Sequence, residues 1–81
     1  MDAYKVKIDH LEHEVEKTLK ETNGYVFLVE FAGGAQWVDE DDTNEVLFEC
    51  DECDRETWVE AGTWALDRGL CYSCNCEYEG G

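Results

Sequence analysis

The chain has 81 residues, 43% of them hydrophobic, and its 21 acidic against 6 basic side chains leave a net charge of −15 at pH 7. That length fits one domain, and so short a chain buries a small fraction of its surface and gains most from a metal or disulfide staple. The charge repels nucleic acid, there is no apolar run of about 18 residues to cross a membrane, and the opening Met-Asp-Ala-Tyr-Lys-Val-Lys is unlike a secretory signal, so a cytoplasmic protein is expected.

Tyr4, Ile8, Leu11, Val15 and Leu19 recur at intervals of four, three, four and four. This spacing predicts an amphipathic helix over residues 3–22, about 30 Å long. Asp2 would be its N-cap, Glu16 and Lys20 a favourable pair four apart, and Asn23-Gly24 a left-handed stop. His10 and His13 would lie three apart on that helix; with no third ligand nearby in sequence they read as part of a solvated face.

Residues 25–31 (Tyr-Val-Phe-Leu-Val-Glu-Phe) are aromatic and β-branched. They predict a strand with Tyr25, Phe27, Val29 and Phe31 on one face. Residues 32–35 supply a turn, a return strand follows over 35–39, residues 39–44 read as a solvated acidic loop, and 45–49 as a third strand. The expected fold class is α+β. An N-terminal helix packs on a three-stranded antiparallel meander (1–49), a C4 zinc ribbon follows (50–76), and a frayed tail ends the chain (77–81), all in one compact unit. Between the cysteine pairs, Thr57-Trp58-Val59-Glu60 has the capping-box form and would open a short helix stopped at Gly69.

Cys50-Asp51-Glu52-Cys53 and Cys71-Tyr72-Ser73-Cys74 stand 17 residues apart. In a reducing compartment such pairs mean metal more often than disulfide, and two pairs complete the tetrahedral tetrathiolate that suits Zn2+. One structural zinc per chain is expected. Asp54 and Asn75, which follow the pairs, tolerate the left-handed backbone common there. Asp51, Glu52 and Asp54 oppose thiolate formation at the first pair, and Arg55 and Arg68 offset them. Cys76 is an alternate fourth ligand in place of Cys74. The bland reading is a set of reduced cysteines or a redox pair.

The Cys-x2-Cys-x17-Cys-x2-Cys pattern, with a short helix in its gap and Arg68-Gly69-Leu70-Cys71 before the second pair, resembles the C4 finger of the DksA/TraR family. The similarity covers residues 50–74. It implies the four ligand positions and a connection to RNA polymerase, whose secondary channel that family enters.

No nucleophile–base constellation or phosphate-cradling glycine motif occurs, and four thiolates leave zinc no open position for water, so an enzyme is not expected. Residues 39–60 carry 11 Asp or Glu against one Arg, whereas residues 1–24 carry 6 acids against 4 lysines. Such a charge run is by default a solvated face. Held rigid by strands and zinc, it also fits a protein that occupies the basic surface of a nucleic-acid-handling partner such as RNA polymerase or a nuclease. Small acidic bacteriophage inhibitors are similar in size and charge, and a phage-encoded chain would work in the host cytosol. Asp39, Glu40, Asp41, Asp42, Glu45 and Glu49 would carry the contact, with Trp37 as apolar anchor. Trp37, Trp58 and Trp64 each read singly as core. The competing functions are a zinc-ribbon adaptor in transcription or assembly and a redox or metal-handling protein using Cys74 and Cys76. A direct nucleic-acid or membrane partner is not expected, and oligomeric state is not legible.

Overall fold

Where one long helix is expected, the chain forms an antiparallel hairpin of β1 (Ala3–Ile8) and β2 (Leu11–Glu21). The computed structural model describes residues 1–22 and 24–78. Asp9 and His10 link the two strands with φ of 52° and 66°. Paired positive φ values are those of a type I′ turn, whose twist suits a two-residue hairpin. The turn is pinned by the His10 N–H, which donates to Asn44 Oδ1 at 2.9 Å. His13 instead lies on β2 with its ring 5.0 Å from that of Phe31, so the two histidines do not share a helical face. Asn23, expected as the helix stop, lies outside the described residues.

Three further strands match the expected positions. These are β3 (Gly24–Phe31), β4 (Gly34–Asp39) and β5 (Glu45–Glu49). They do not form a meander of their own. With β6 (Glu56–Glu60) the order is β4-β3-β2-β1-β5-β6, a six-stranded antiparallel sheet in which β5 pairs with β1 rather than β4. Between β4 and β5 the acidic loop is a 3-10 turn, Glu40–Asp42.

β2 spans both halves of the sheet. Its residues 11–14 pair with β1, and Val15 and, beyond a bulge at Glu16, residues 17–21 pair with β3. The extra residue reverses the alternation and bends the strand, so His13 and Val15 face inward before the bulge and Thr18 after it. Thr18 Oγ1 accepts the Ala3 N–H at 3.0 Å, bringing the start of β1 across to the second half of β2.

Val6, Phe27, Val29, Val46, Phe48 and Val59 are fully buried between the two halves, each stabilising the fold by about 1.5–3 kcal/mol. The core is completed by Ala65 and Leu66 of α1 (Trp64–Arg68). This helix does not start at Thr57, which lies in β6, because β5 recruits 56–60 as its partner strand. Thr63 is the cap, accepting the Leu66 N–H at 3.4 Å, and Gly69 (φ 72°) is the stop, as expected. A second helix, α2 (Tyr72–Tyr78), follows. It contains Glu77 and Tyr78, expected to begin a frayed tail; residues 79–81 lie outside the described residues.

None of the three tryptophans is in the core. Trp37 is 50% exposed on edge strand β4, Trp64 is 67% exposed, and Trp58 is half-buried on the outer face of β6 under the Lys7 ammonium, 4.7 Å from the ring centre. Among the described residues, no helix is long and apolar enough to cross a membrane.

Candidate metal centre and the acidic surface

Cys50 follows β5 directly and is fully buried; Cys53 lies in the loop that joins β5 to β6. The hairpin ladder continues into this loop, with the Cys50 N–H donating to the Arg55 carbonyl and the Asp54 N–H to the Cys50 carbonyl, both at 2.9 Å. Asp54 has φ 58°, the left-handed conformation expected there. The second pair is placed differently. Gly69 reverses the chain after α1, Leu70 is buried, and Cys71 and Cys74 flank the first turn of α2, where residues three apart share a face. Asn75 is therefore helical rather than left-handed. Because the second pair opens a helix, the arrangement is not a ribbon of two hairpins.

The two segments are joined directly by Asp51 N–H donating to the Gly69 carbonyl at 3.0 Å and Cys71 N–H to Cys50 Sγ at 3.3 Å. Gly69, at φ 72°, makes this crossing in a left-handed conformation that favours glycine, and a Cβ there would also push the exposed Asp51 carboxylate aside.

The sulfurs of Cys50, Cys53, Cys71 and Cys74 all lie within 4.8 Å of one another. A tetrahedral site with Zn–S bonds of about 2.3 Å has sulfur–sulfur edges of about 3.8 Å. The Cys53–Cys71 separation is 3.8 Å, already that edge and far beyond a disulfide bond. All five cysteines are free thiols, and Cys76, the alternate ligand, is exposed and outside the cluster. Four cysteines are thus placed to hold one metal ion.

The thiols are unequal. Burial opposes ionisation of Cys50, but backbone N–H groups of Cys53, Cys71 and Glu52 outweigh it and hold its pKa down to about 6. At Cys53 the Arg55 backbone N–H favours the thiolate, yet desolvation and the neighbouring sulfurs leave the pKa raised. Hydrogen bonding to Cys71, then desolvation, pushes Cys74 well above an ordinary thiol. Backbone donors thus favour the thiolate at Cys50, while crowding among the sulfurs opposes it at Cys53 and Cys74.

The acidic residues divide by role. Glu40 is buried: its Oε1 accepts the Tyr25 N–H at 3.1 Å and its Oε2 the Gly62 N–H at 2.7 Å. It links β3 to the segment after β6, and its carboxylate is not available to a partner as expected from the loop. No sequence pattern flags this, although Gly24 is its counterpart, since a Cβ there would sit 2.8 Å from Glu40 Oε1. Glu45 is half-buried and pairs with Lys7 at 3.1 Å. Glu49 is exposed and accepts from the Tyr4 hydroxyl at 3.4 Å; its charge is the main cause of that phenol's raised pKa. Asp39, Asp41 and Asp42 are exposed together around the 3-10 turn.

No family model matches the chain, and neither does any curated protein or solved structure. No family is identified, and what remains of the likeness to the DksA/TraR finger is the set of four cysteine positions.

Proposed function

We propose that this chain is a non-enzymatic binding protein, stapled by one structural zinc, that inhibits or modulates a basic nucleic-acid-handling protein by occupying the surface that phosphates would fill. Zinc is supported by the thiol-only donor set, its four sulfurs within 4.8 Å of one another, which borderline-soft Zn2+ prefers and which leaves no position for a reacting water. Cys50, Cys53, Cys71 and Cys74 would hold it, tying the β5–β6 hairpin to α2.

The binding role rests above all on the charge. A net −15 on 81 residues disfavours compaction and is retained here on a folded scaffold, with Asp39, Asp41 and Asp42 side by side at one turn. Such a field mainly accelerates encounter with a positive surface and is screened by salt. The test is to immobilise the zinc-loaded chain, capture partners from the source or host cell, and challenge them with duplex DNA. Basic nucleic-acid enzymes released by DNA are expected. Partners indifferent to DNA and to salt would remove the mimicry.

A further inference from the structure

The two halves of the outer sheet face differ. Over β1, β5 and β6 two lysines lie across the face, Lys5 3.8 Å from Glu12 and 3.9 Å from Glu14 on β2, and Lys7 3.1 Å from Glu45 and over the Trp58 ring, beside the exposed carboxylates of Glu49, Glu56 and Glu60. Over β2, β3 and β4 the centre of the face is apolar, with Lys17 at its β2 edge and Asp39 at its β4 edge. Its register places Leu19, Val26 and Asp39 in one cross-strand row and Lys17, Leu28 and Trp37 in the next. Residues directly opposite one another are close enough to touch, so Leu19, Val26, Leu28 and Trp37 make one patch. Leu19 is 48% and Trp37 50% exposed, and Val26 and Leu28 are half-buried. At one end of the patch, beside Val26, Glu21, Asp39 and Asp41 line a cleft. Glu30, exposed, stands at the other end in the next row.

We infer that the outer face of β2, β3 and β4 is a docking surface for a protein segment whose apolar side chains are flanked by lysine or arginine. This deepens the proposed function and rests on its basic partner. Contiguous exposed apolar surface with a polar rim marks interaction sites, and Trp is the residue most often found at their energetic centre. The rim decides the occupant. A second copy would set four carboxylates, Glu21, Glu30, Asp39 and Asp41, against four more with only Lys17 on each face to offset them, under a net charge of −15 on each chain. An anionic membrane meets the same repulsion. A segment with apolar side chains on the Leu28–Trp37 row and a cation in the Glu21–Asp39–Asp41 cleft matches both features.

The zinc-loaded full chain, 15N-labelled, is titrated with three synthetic peptides of equal length, alternating Lys with Leu and one Trp, Lys with Ser, or Glu with Leu. Anionic phosphatidylserine vesicles are tested in parallel, and self-association by sedimentation. The Lys/Leu peptide is expected to shift the amides of Leu19, Val26, Leu28 and Trp37 and to bind at least tenfold more tightly than the other two. Leu28→Thr with Trp37→Thr, which removes the apolar surface but places β-branched, strand-favouring side chains there, should remove that advantage. If the pair unfolds, Trp37→Thr alone, at an exposed edge position, applies the same test. Equal binding of both lysine peptides, unaffected by these substitutions, overturns the docking surface and leaves the basic-partner reading standing. Failure of every lysine peptide to bind overturns both. Preferential binding of the Glu/Leu peptide, of vesicles, or of a second copy through this face assigns it to another occupant and overturns the inference.

Discussion

Glu40→Ala should be the most damaging change in the acidic loop, although three other carboxylates stand within three residues of it. The substitution removes the acceptors of two backbone N–H groups, Tyr25 at 3.1 Å and Gly62 at 2.7 Å. A hydrogen bond to a charged group contributes about 1.5–3 kcal/mol, and a buried donor left unpaired costs about 1–3 kcal/mol. Tyr25 is buried and would feel the full loss, whereas Gly62 is exposed and can turn to water. The expected total is about 2–4 kcal/mol, a large part of the roughly 4–12 kcal/mol that a domain of 81 residues possesses. Glu40→Gln keeps one acceptor and turns its amide donors toward the other N–H, so about half the loss is expected. Urea denaturation of the zinc-loaded protein, with Asp41→Asn and Asp42→Asn as neighbours expected within about 0.5 kcal/mol of the parent, makes the comparison. If Glu40→Ala unfolds at the same urea concentration as those neighbours, the carboxylate is not a structural link.

Cys50→Ser, Cys53→Ser, Cys71→Ser and Cys74→Ser should each lose stoichiometric zinc by elemental analysis after dialysis, while Cys76→Ser retains it. Because Cys53 and Cys74 hold their protons above the ordinary thiol range, metal binding must displace them. An indicator dye should therefore record proton release on loading, and affinity should rise with pH. Cys50, depressed to about 6, favours the folded thiolate above the free-thiol range and loses that contribution as pH falls through its own value. Gly69→Ala places a Cβ against Asp51 at φ 72°, and should weaken thermal stability and zinc retention together. Asp41→Asn with Asp42→Asn should slow association with a basic partner at low salt, read by stopped flow, without changing the melting temperature.

The four-cysteine cluster is legible in the sequence because its geometry is local. Each Cys-x-x-Cys pair sets two sulfurs within one turn, and Asp54 and Gly69 mark the reversals that aim them. The N-terminal spacing points to a helix, yet intervals of four are even numbers and suit a strand equally. Tyr4–Ile8 and Leu11–Val15 satisfy a strand's period as well as a helix's, and the interval of three from Ile8 to Leu11 spans the Asp9–His10 turn rather than a helical step. Val6, between Tyr4 and Ile8, breaks the helical stripe and is fully buried as a strand residue. The pairing of β1 with β5 joins segments some forty residues apart and has no local signature. Trp37 looked like core by residue type, but edge position and outward register place it in solvent. Glu40 was indistinguishable from its acidic neighbours because its inward turn depends on where Tyr25 and Gly62 meet.

Titration of the reduced, metal-free chain with Co2+, followed by displacement with Zn2+, tests the metal centre most directly. Visible absorption of tetrahedral thiolate-bound cobalt should grow to saturation at one ion per chain, disappear on addition of one equivalent of zinc, and be unchanged in Cys76→Ser. A spectrum of six-coordinate cobalt, saturation at another stoichiometry, or a signal that survives Cys50→Ser would contradict a four-cysteine site.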